Sequence, residues 1–359
     1  MNRPSDTRQP KGRGALSNRD GRFESLTHEA FDDGWPRGED DVVLKTVVTV
    51  DRARSIITRN DSPDVPFRQS INPYRGCEHG CSYCFARPTH GYLGLSAGKD
   101  FESRLFYKPD AAALLDAELR RPGYRCEPIA LGVNTDAYQP VERRLRVTRS
   151  LLEVMRDFRQ PVSIITKSAM IERDLDVLGP MAEQGLAEVA VSVTSLDAEL
   201  ARAMEPRAAS PDRRLKTIER LQAAGVPVSV LVAPVIPGLT DHEIERILEA
   251  VAGAGARSAG YVMLRLPHEL RELFPEWLEA RVPLRAGRVM SLLRQVRGGA
   301  AYDARFSTRM RGEGPLADLV AQRFRTATRR LGLDSSWPAL RCDRFEPPAR
   351  SGDQLSLLG

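Results

Sequence analysis

Lysine is scarce in this 359-residue chain: six of its 53 basic residues are Lys and the rest are Arg. Long apolar runs are missing as well. The longest, around Val228–Leu239, is broken by Pro234 and Pro237 and falls well short of the ~20 residues that span a bilayer. The opening MNRPSDTRQPKGRGALSN has no apolar stretch of the secretory kind. A soluble, cytoplasmic protein with no membrane partner is expected. Aromatic residues make up only 6%, and there are five cysteines, too few for a disulfide framework in a chain of this size. What is present, 42% hydrophobic and 28% charged residues, permits a sizeable core and excludes global disorder.

The net charge of +5 is unevenly distributed. Residues 281–350 hold fifteen Arg and six acids, a net +9, which leaves −4 for the remainder. A basic C-terminal portion on a slightly acidic body suits a phosphate-rich partner, DNA or RNA, while Arg-for-Lys usage throughout the chain is the plainer explanation.

Residues 1–40 read as a polar, flexible tail and 41–64 as a short β extension containing the strand-like Val42–Val50. Beyond them an alternation sets in. Runs at Arg68–Asn72, Pro128–Val133, Val162–Thr166, Val189–Val193, Val228–Ala233 and Gly260–Leu266 have strand character. Each is followed by helical periodicity: Ala111–Leu119, Thr148–Phe158, Leu175–Gln184, Asp212–Ala224, Asp241–Ala252 and Leu284–Val296. Pro211 or Asp212 opens one of these helices, and Gly225 with Pro227 closes it. Strands alternating with helices imply an α/β fold with a parallel sheet under helices. No GxGxxG follows the first strand, so a dinucleotide-binding sheet lacks its fingerprint. A partial (β/α)6 barrel of the TIM type is expected over residues 65–297. Residues 298–359 form a basic C-terminal extension with a short helical part, Leu316–Leu331, and a polar tail.

Directly after the first strand comes Cys77-Glu-His-Gly-Cys81-Ser-Tyr-Cys84, with C-x3-C-x2-C spacing. A short loop can place three thiolates on three corners of an iron–sulfur cubane, leaving one iron open. A structural zinc site completed by His79 or His90 is the alternative, but no second ligand pair accompanies the motif.

With Tyr83 as the aromatic of C-x3-C-x-Φ-C after the first barrel strand, the sequence resembles the radical SAM superfamily over about residues 65–300. That resemblance implies a [4Fe–4S] cluster on Cys77, Cys81 and Cys84, S-adenosylmethionine on the open iron, and a 5′-deoxyadenosyl radical as hydrogen abstractor. It also implies a reducing flavodoxin or ferredoxin as electron donor. Within the superfamily, Cys81–Arg87, TDAYQ from Thr135, ITKSAMIERD from Ile165 and VAPVIPGLTD from Val232 look like spore photoproduct lyase and its bacterial relatives.

Barrel chemistry sits at the C-terminal ends of strands. There, the resemblance implies that Lys167 pairs with the cofactor carboxylate. Thr135 and Asp136 would stand in for the absent Gly-Gly-Glu motif that receives the cofactor ammonium, and Thr194 and Ser195 would reach the ribose. Tyr83 would line the adenine. Turn, helix-cap and snorkelling roles compete for each of these residues.

Two departures weaken a thymine-lyase reading. The lyase cysteine at the end of the second strand matches Val133 here, and the tyrosine after the third cluster cysteine matches Phe85. Cys126 and Cys342 are expected to be small buried hydrophobes. A non-lyase radical enzyme acting on protein or metabolite, and a non-catalytic iron–sulfur or zinc nucleic-acid-binding protein, remain the rival functions. Finally, Gln354-Leu-Ser-Leu-Leu358 resembles the short peptide that docks on the bacterial β sliding clamp.

Overall fold

The computed structural model describes residues 12–19, 21–23, 44–335 and 339–349. Ten strands are present among them: β1 (Val47–Val50), β2 (Thr58–Arg59), β3 (Gln69–Ile71), β4 (Tyr74–Arg75), β5 (Arg104–Tyr107), β6 (Ile129–Leu131), β7 (Val162–Thr166), β8 (Ala187–Ser192), β9 (Val228–Val235) and β10 (Ser258–Met263). The main sheet has the order β10-β9-β8-β7-β6-β3-β2. From β3 to β10 every pairing is parallel, and β2 is added antiparallel outside β3. These are the six expected strands, in sequence order across the sheet. Each crossover between them carries a helix, as parallel pairing requires.

The helices form because their apolar residues fall on one face. Val147–Asp157 buries Val147, Leu151, Leu152 and Met155 in the core and exposes Arg156 and Asp157. Its first turn is closed from a distance by Glu142, whose carboxylate accepts from the Thr148 amide (3.1 Å), the Arg149 amide (3.3 Å) and the Tyr74 hydroxyl. Pro211–Ala223 begins as read, with Ser210 as N-cap and proline at N1. Gly225, at φ 73°, lets the chain turn after the helix toward β9.

The sheet does not close on itself, so β10 and β2 are its two edges. Residues 333–334 cover part of β10, with the Ala259 amide donating to the Leu333 carbonyl (3.0 Å). Asp64, in the loop from β2 to β3, accepts from the Ser307 amide (2.6 Å) and from Arg309, tying that loop to the segment that follows the barrel helices.

The structure adds elements that the periodicity does not announce. A second sheet, β1-β5-β4, stands beside the main one. Short helices at Lys99–Ser103 and Ala198–Met204 and a longer one at Leu270–Arg281 complete the connections. Within the span read as a polar tail, residues 13–16 are buried. Cys126 and Cys342 are half-buried thiols that interact with each other, not the separate buried hydrophobes expected; residues 341–346 fold back to bring them together. The candidate clamp peptide Gln354–Leu358 lies outside the described residues. Among those described, no helix is long and apolar enough to cross a membrane.

Leu151 is fully buried under the sheet. Leu151→Ala is expected to cost about 2–5 kcal/mol through lost burial and the cavity left behind. A lowered thermal midpoint with an unchanged far-UV spectrum of the folded state checks this.

Candidate functional site

The three clustered cysteines sit on an excursion whose two ends are zipped together. β4 leads into it and β5 leaves it, and these strands pair antiparallel, Tyr74 opposite Tyr107 and Arg75 opposite Phe106. The Cys77 amide continues the ladder by donating to the Phe101 carbonyl (2.9 Å). From the barrel side, the Gln139 side chain receives the Glu78 amide (2.9 Å) and donates to the Gly76 carbonyl (3.0 Å). The Ser82 amide bonds the Met204 carbonyl (2.9 Å), and Arg207 pairs with Glu78 (2.7 Å).

Beneath the loop lies a buried ion pair. Glu102 and Arg87 are both fully inaccessible and bonded to each other. Arg87 also donates to the carbonyls of Gly80 (3.1 Å), Cys81 (2.8 Å), Ala97 (3.2 Å) and Gly98 (2.9 Å). The other capacity of Glu102 is filled by the N-terminal segment: the Gly14 amide (2.8 Å) and the Ala15 amide (2.7 Å) donate to its carboxylate. Arg13 donates to the Glu102 carbonyl and to Leu44 and Thr46. Gly14 passes so close to the loop that a Cβ there would overlap the Gly80 carbonyl. Gly80 itself has φ 67° and lies against the Glu102 carboxylate.

Cys77 and Cys81 are buried and Cys84 is half-buried. Burial pushes all three thiols above the usual range; the charges of Cys81 and Cys84 raise Cys77 further, and that of Cys84 raises Cys81. Lys167 lowers Cys81, and Arg87 and Lys167 lower Cys84, against that rise. Three thiols on one braced loop, with cations beside them, fit a cationic iron–sulfur cluster that stabilises thiolates. The two histidines weighed as zinc ligands are engaged elsewhere: His79 faces Asp136 (3.3 Å), and His90 Nε2 faces the Arg104 carbonyl (2.9 Å).

The strand-end residues divide into two groups. Tyr83, Lys167 and Thr194 meet in one network centred on Glu205. That buried carboxylate accepts from the Tyr83 hydroxyl, from Thr194 (2.8 Å) and from Arg214, and lies 3.7 Å from the Lys167 ammonium. Lys167 also donates to Ser192 and to the Ala233 carbonyl (3.2 Å) and faces the Tyr83 ring at 5.9 Å. Asp136 stands beside this network and accepts from Thr166 (2.8 Å) and the amides of Lys167 (2.8 Å) and Tyr138 (2.9 Å). Burial would raise its pKa, but the His79 charge and these hydrogen bonds hold it at about 2. Thr135 and Ser195 lie apart from this network. Thr135 donates to the Tyr74 carbonyl (3.0 Å); Ser195 donates to Glu243 (2.6 Å) and receives the Asp197 amide (3.0 Å).

Glu205 and Arg214 carry no motif of their own in the sequence. The only available signal was the position of Glu205 after the fourth strand. Burial would likewise raise the Glu205 pKa, and Arg214 and then Lys167 bring it down to about 2.

A model of the family described as the radical SAM superfamily matches residues 71–251. An uncharacterised protein of Mycobacterium tuberculosis is 40% identical over 233 residues, 64% of this chain and 68% of its own. One from Methanocaldococcus jannaschii is 28% identical over 173 residues, 48% of this chain and 62% of its own. Among solved structures, spore photoproduct lyase complexed with dinucleoside spore photoproduct shares the fold at 15% identity, with a TM-score of 0.53 and 79% of each chain covered.

Two outcomes follow. Gly14→Ala is expected to lift the N-terminal segment from the loop and destabilise the protein by roughly 1–3 kcal/mol, the cost of buried acceptors left unpaired; faster proteolysis near residue 14 and a lowered thermal midpoint check it. The ionised Glu205 contributes stability that is complete above pH 4.5 and is lost as pH falls toward about 2. Glu205→Gln is expected to flatten that part of the stability–pH profile, measured by urea denaturation between pH 5 and 3.

Proposed function

The chain belongs to the radical SAM superfamily, and we propose that it is an enzyme that modifies or cleaves nucleic acid with a radical drawn from S-adenosylmethionine. The observation that carries this reading is the three-cysteine loop beside a lysine that ends the third barrel strand. Cys77, Cys81 and Cys84 would hold a [4Fe–4S] cluster. The chemistry that cluster supplies with its cofactor is one-electron cleavage of the sulfonium to methionine and a 5′-deoxyadenosyl radical, which takes a hydrogen atom from substrate.

The chain's own residues bind and orient. Lys167, with Arg214 already committed to Glu205, retains charge for the methionine carboxylate. Asp136, kept ionised, is an acceptor for the cofactor ammonium. Tyr83, fixed through its hydroxyl by Glu205, offers its ring to the adenine. The loop brace and the buried Gly14–Leu16 segment shield Cys77 and Cys81 from water.

A nucleic-acid substrate is supported by charge near the same end of the sheet. Exposed Arg285, Arg288 and Arg294 lie on the helix Pro283–Gln295, which packs on Gly238 just beyond the end of β9, and none has an acid partner among the described residues. The likeness in fold to an enzyme whose structure holds a dinucleoside photoproduct supports the same class. Val133 and Phe85 in place of the lyase cysteine and tyrosine favour an outcome other than thymine-dimer reversal. A flavodoxin or ferredoxin would supply the electron, and the 354–358 peptide would recruit the enzyme to a sliding clamp.

After anaerobic reconstitution with iron and sulfide and reduction by dithionite, 5′-deoxyadenosine is expected from the wild type. None is expected from the Cys77→Ala, Cys81→Ala, Cys84→Ala variant. Lys167→Ala is expected to keep its iron and raise the cofactor KM about tenfold, the loss of one charge-assisted contact. Zinc in place of iron, with no cofactor binding, would overturn the reading.

A further inference from the structure

Arg265 follows the sixth barrel strand, two residues past the end of β10. Its guanidinium lies over the ring of Phe85, 4.5 Å from the centroid, and Phe85 directly follows Cys84 on the cysteine loop. Among the described residues Arg265 has no hydrogen-bond or ion-pair partner for that guanidinium. Arginine stacked flat on a ring keeps its N–H edge available for a planar or tetrahedral oxyanion.

A second cation backs it. Arg297 is 2% exposed and donates to the carbonyls of Leu264 (2.7 Å), Met263 (3.4 Å) and Thr308 (2.8 Å), while its Nε is buried without a partner. Neutral carbonyls are thus its only bonded partners, and no carboxylate among the described residues pairs with it. The nearby acids are committed: Asp303 and Glu313 to Arg305, Asp64 to Arg309. Burial, and then the neighbouring Arg265, push the Arg297 pKa down to about 10. Two adjacent guanidinium groups, one buried, with no acid bonded to either among the described residues, leave an electrostatic deficit that an anion would relieve.

We infer that Arg265, backed by Arg297, binds a phosphate-class oxyanion of the substrate beside the cysteine loop. This deepens the nucleic-acid reading and rests on it for the source of the phosphate: a backbone phosphate next to the reacting nucleotide. Phe85 then serves twice, holding the guanidinium and walling the space beside Cys84.

The test measures binding of a fluorescent single-stranded oligonucleotide to the reconstituted full-length protein, with inorganic tripolyphosphate as a competing probe. Arg265→Met is expected to weaken oligonucleotide binding about tenfold and to lower the dependence of affinity on salt by about one counter-ion. S-adenosylmethionine affinity and iron content are expected to stay unchanged, and Arg265→Lys to recover part of the loss. Arg121→Met removes an exposed charge before β6, at the opposite end of the sheet, and is expected to have no effect. Were the wild type to ignore oligonucleotide yet bind tripolyphosphate through Arg265, the oxyanion site would stand and the nucleic-acid reading would fall. Unchanged binding of both probes in Arg265→Met, or lost cofactor affinity instead, would overturn the inference.

Discussion

The carboxylate of Glu102 is the point on which the cysteine loop depends. It is fully buried, and a buried charge is tolerated only when its partners satisfy it. Those partners come from two places, Arg87 just after the motif and the Gly14 and Ala15 amides, while Arg13 bonds the Glu102 backbone carbonyl. Arg87 in turn gathers carbonyls from both arms of the loop. Removing any one group strands the others, so loop, helix Lys99–Ser103 and N-terminal segment are expected to order together. An assembly of this kind contributes geometry more than stability. It makes the positions of three sulfurs independent of the cluster they would receive.

A second buried carboxylate, Glu205, does similar work on the barrel side. It joins the aromatic of the cysteine motif to the strand-end lysine and threonine. Arg214 neutralises most of its charge, which leaves Lys167 less than fully compensated in the place where an anionic cofactor group would lie. The two carboxylates hold the loop from opposite sides.

The six parallel strands were legible because β-branched runs and amphipathic helices alternate with clear punctuation. Cys77, Cys81 and Cys84 were legible because their spacing carries chemistry on its face. Glu102, Glu205, Arg87 and Arg214 were not, since a buried ion pair has no periodicity and no fixed spacing, 15 residues in one pair and 9 in the other. Strands of two to four residues, such as β4 and β5, leave too short a pattern to detect. Gly14 reads as part of a polar tail, and only its contact with Gly80 explains the glycine. Charge counting was half informative: Arg309, Arg323 and Arg330 pair with acids outside residues 281–350, so the net +9 overstates what a partner would meet. The cations without an acid partner among the described residues, Arg265 and Arg297 above all, stand out only in three dimensions.

A radical enzyme acting on nucleic acid leaves its trace in the hydrogen it abstracts. DNA from cells grown in deuterated medium, with and without ultraviolet irradiation, and RNA prepared likewise, would be given to the reconstituted, reduced enzyme with unlabelled cofactor. Mass spectrometry of the 5′-deoxyadenosine product is expected to show deuterium gained from the nucleic acid, absent when unlabelled nucleic acid is supplied. Product that forms freely but never carries deuterium from DNA or RNA would contradict the account and leave a radical enzyme with a different class of substrate.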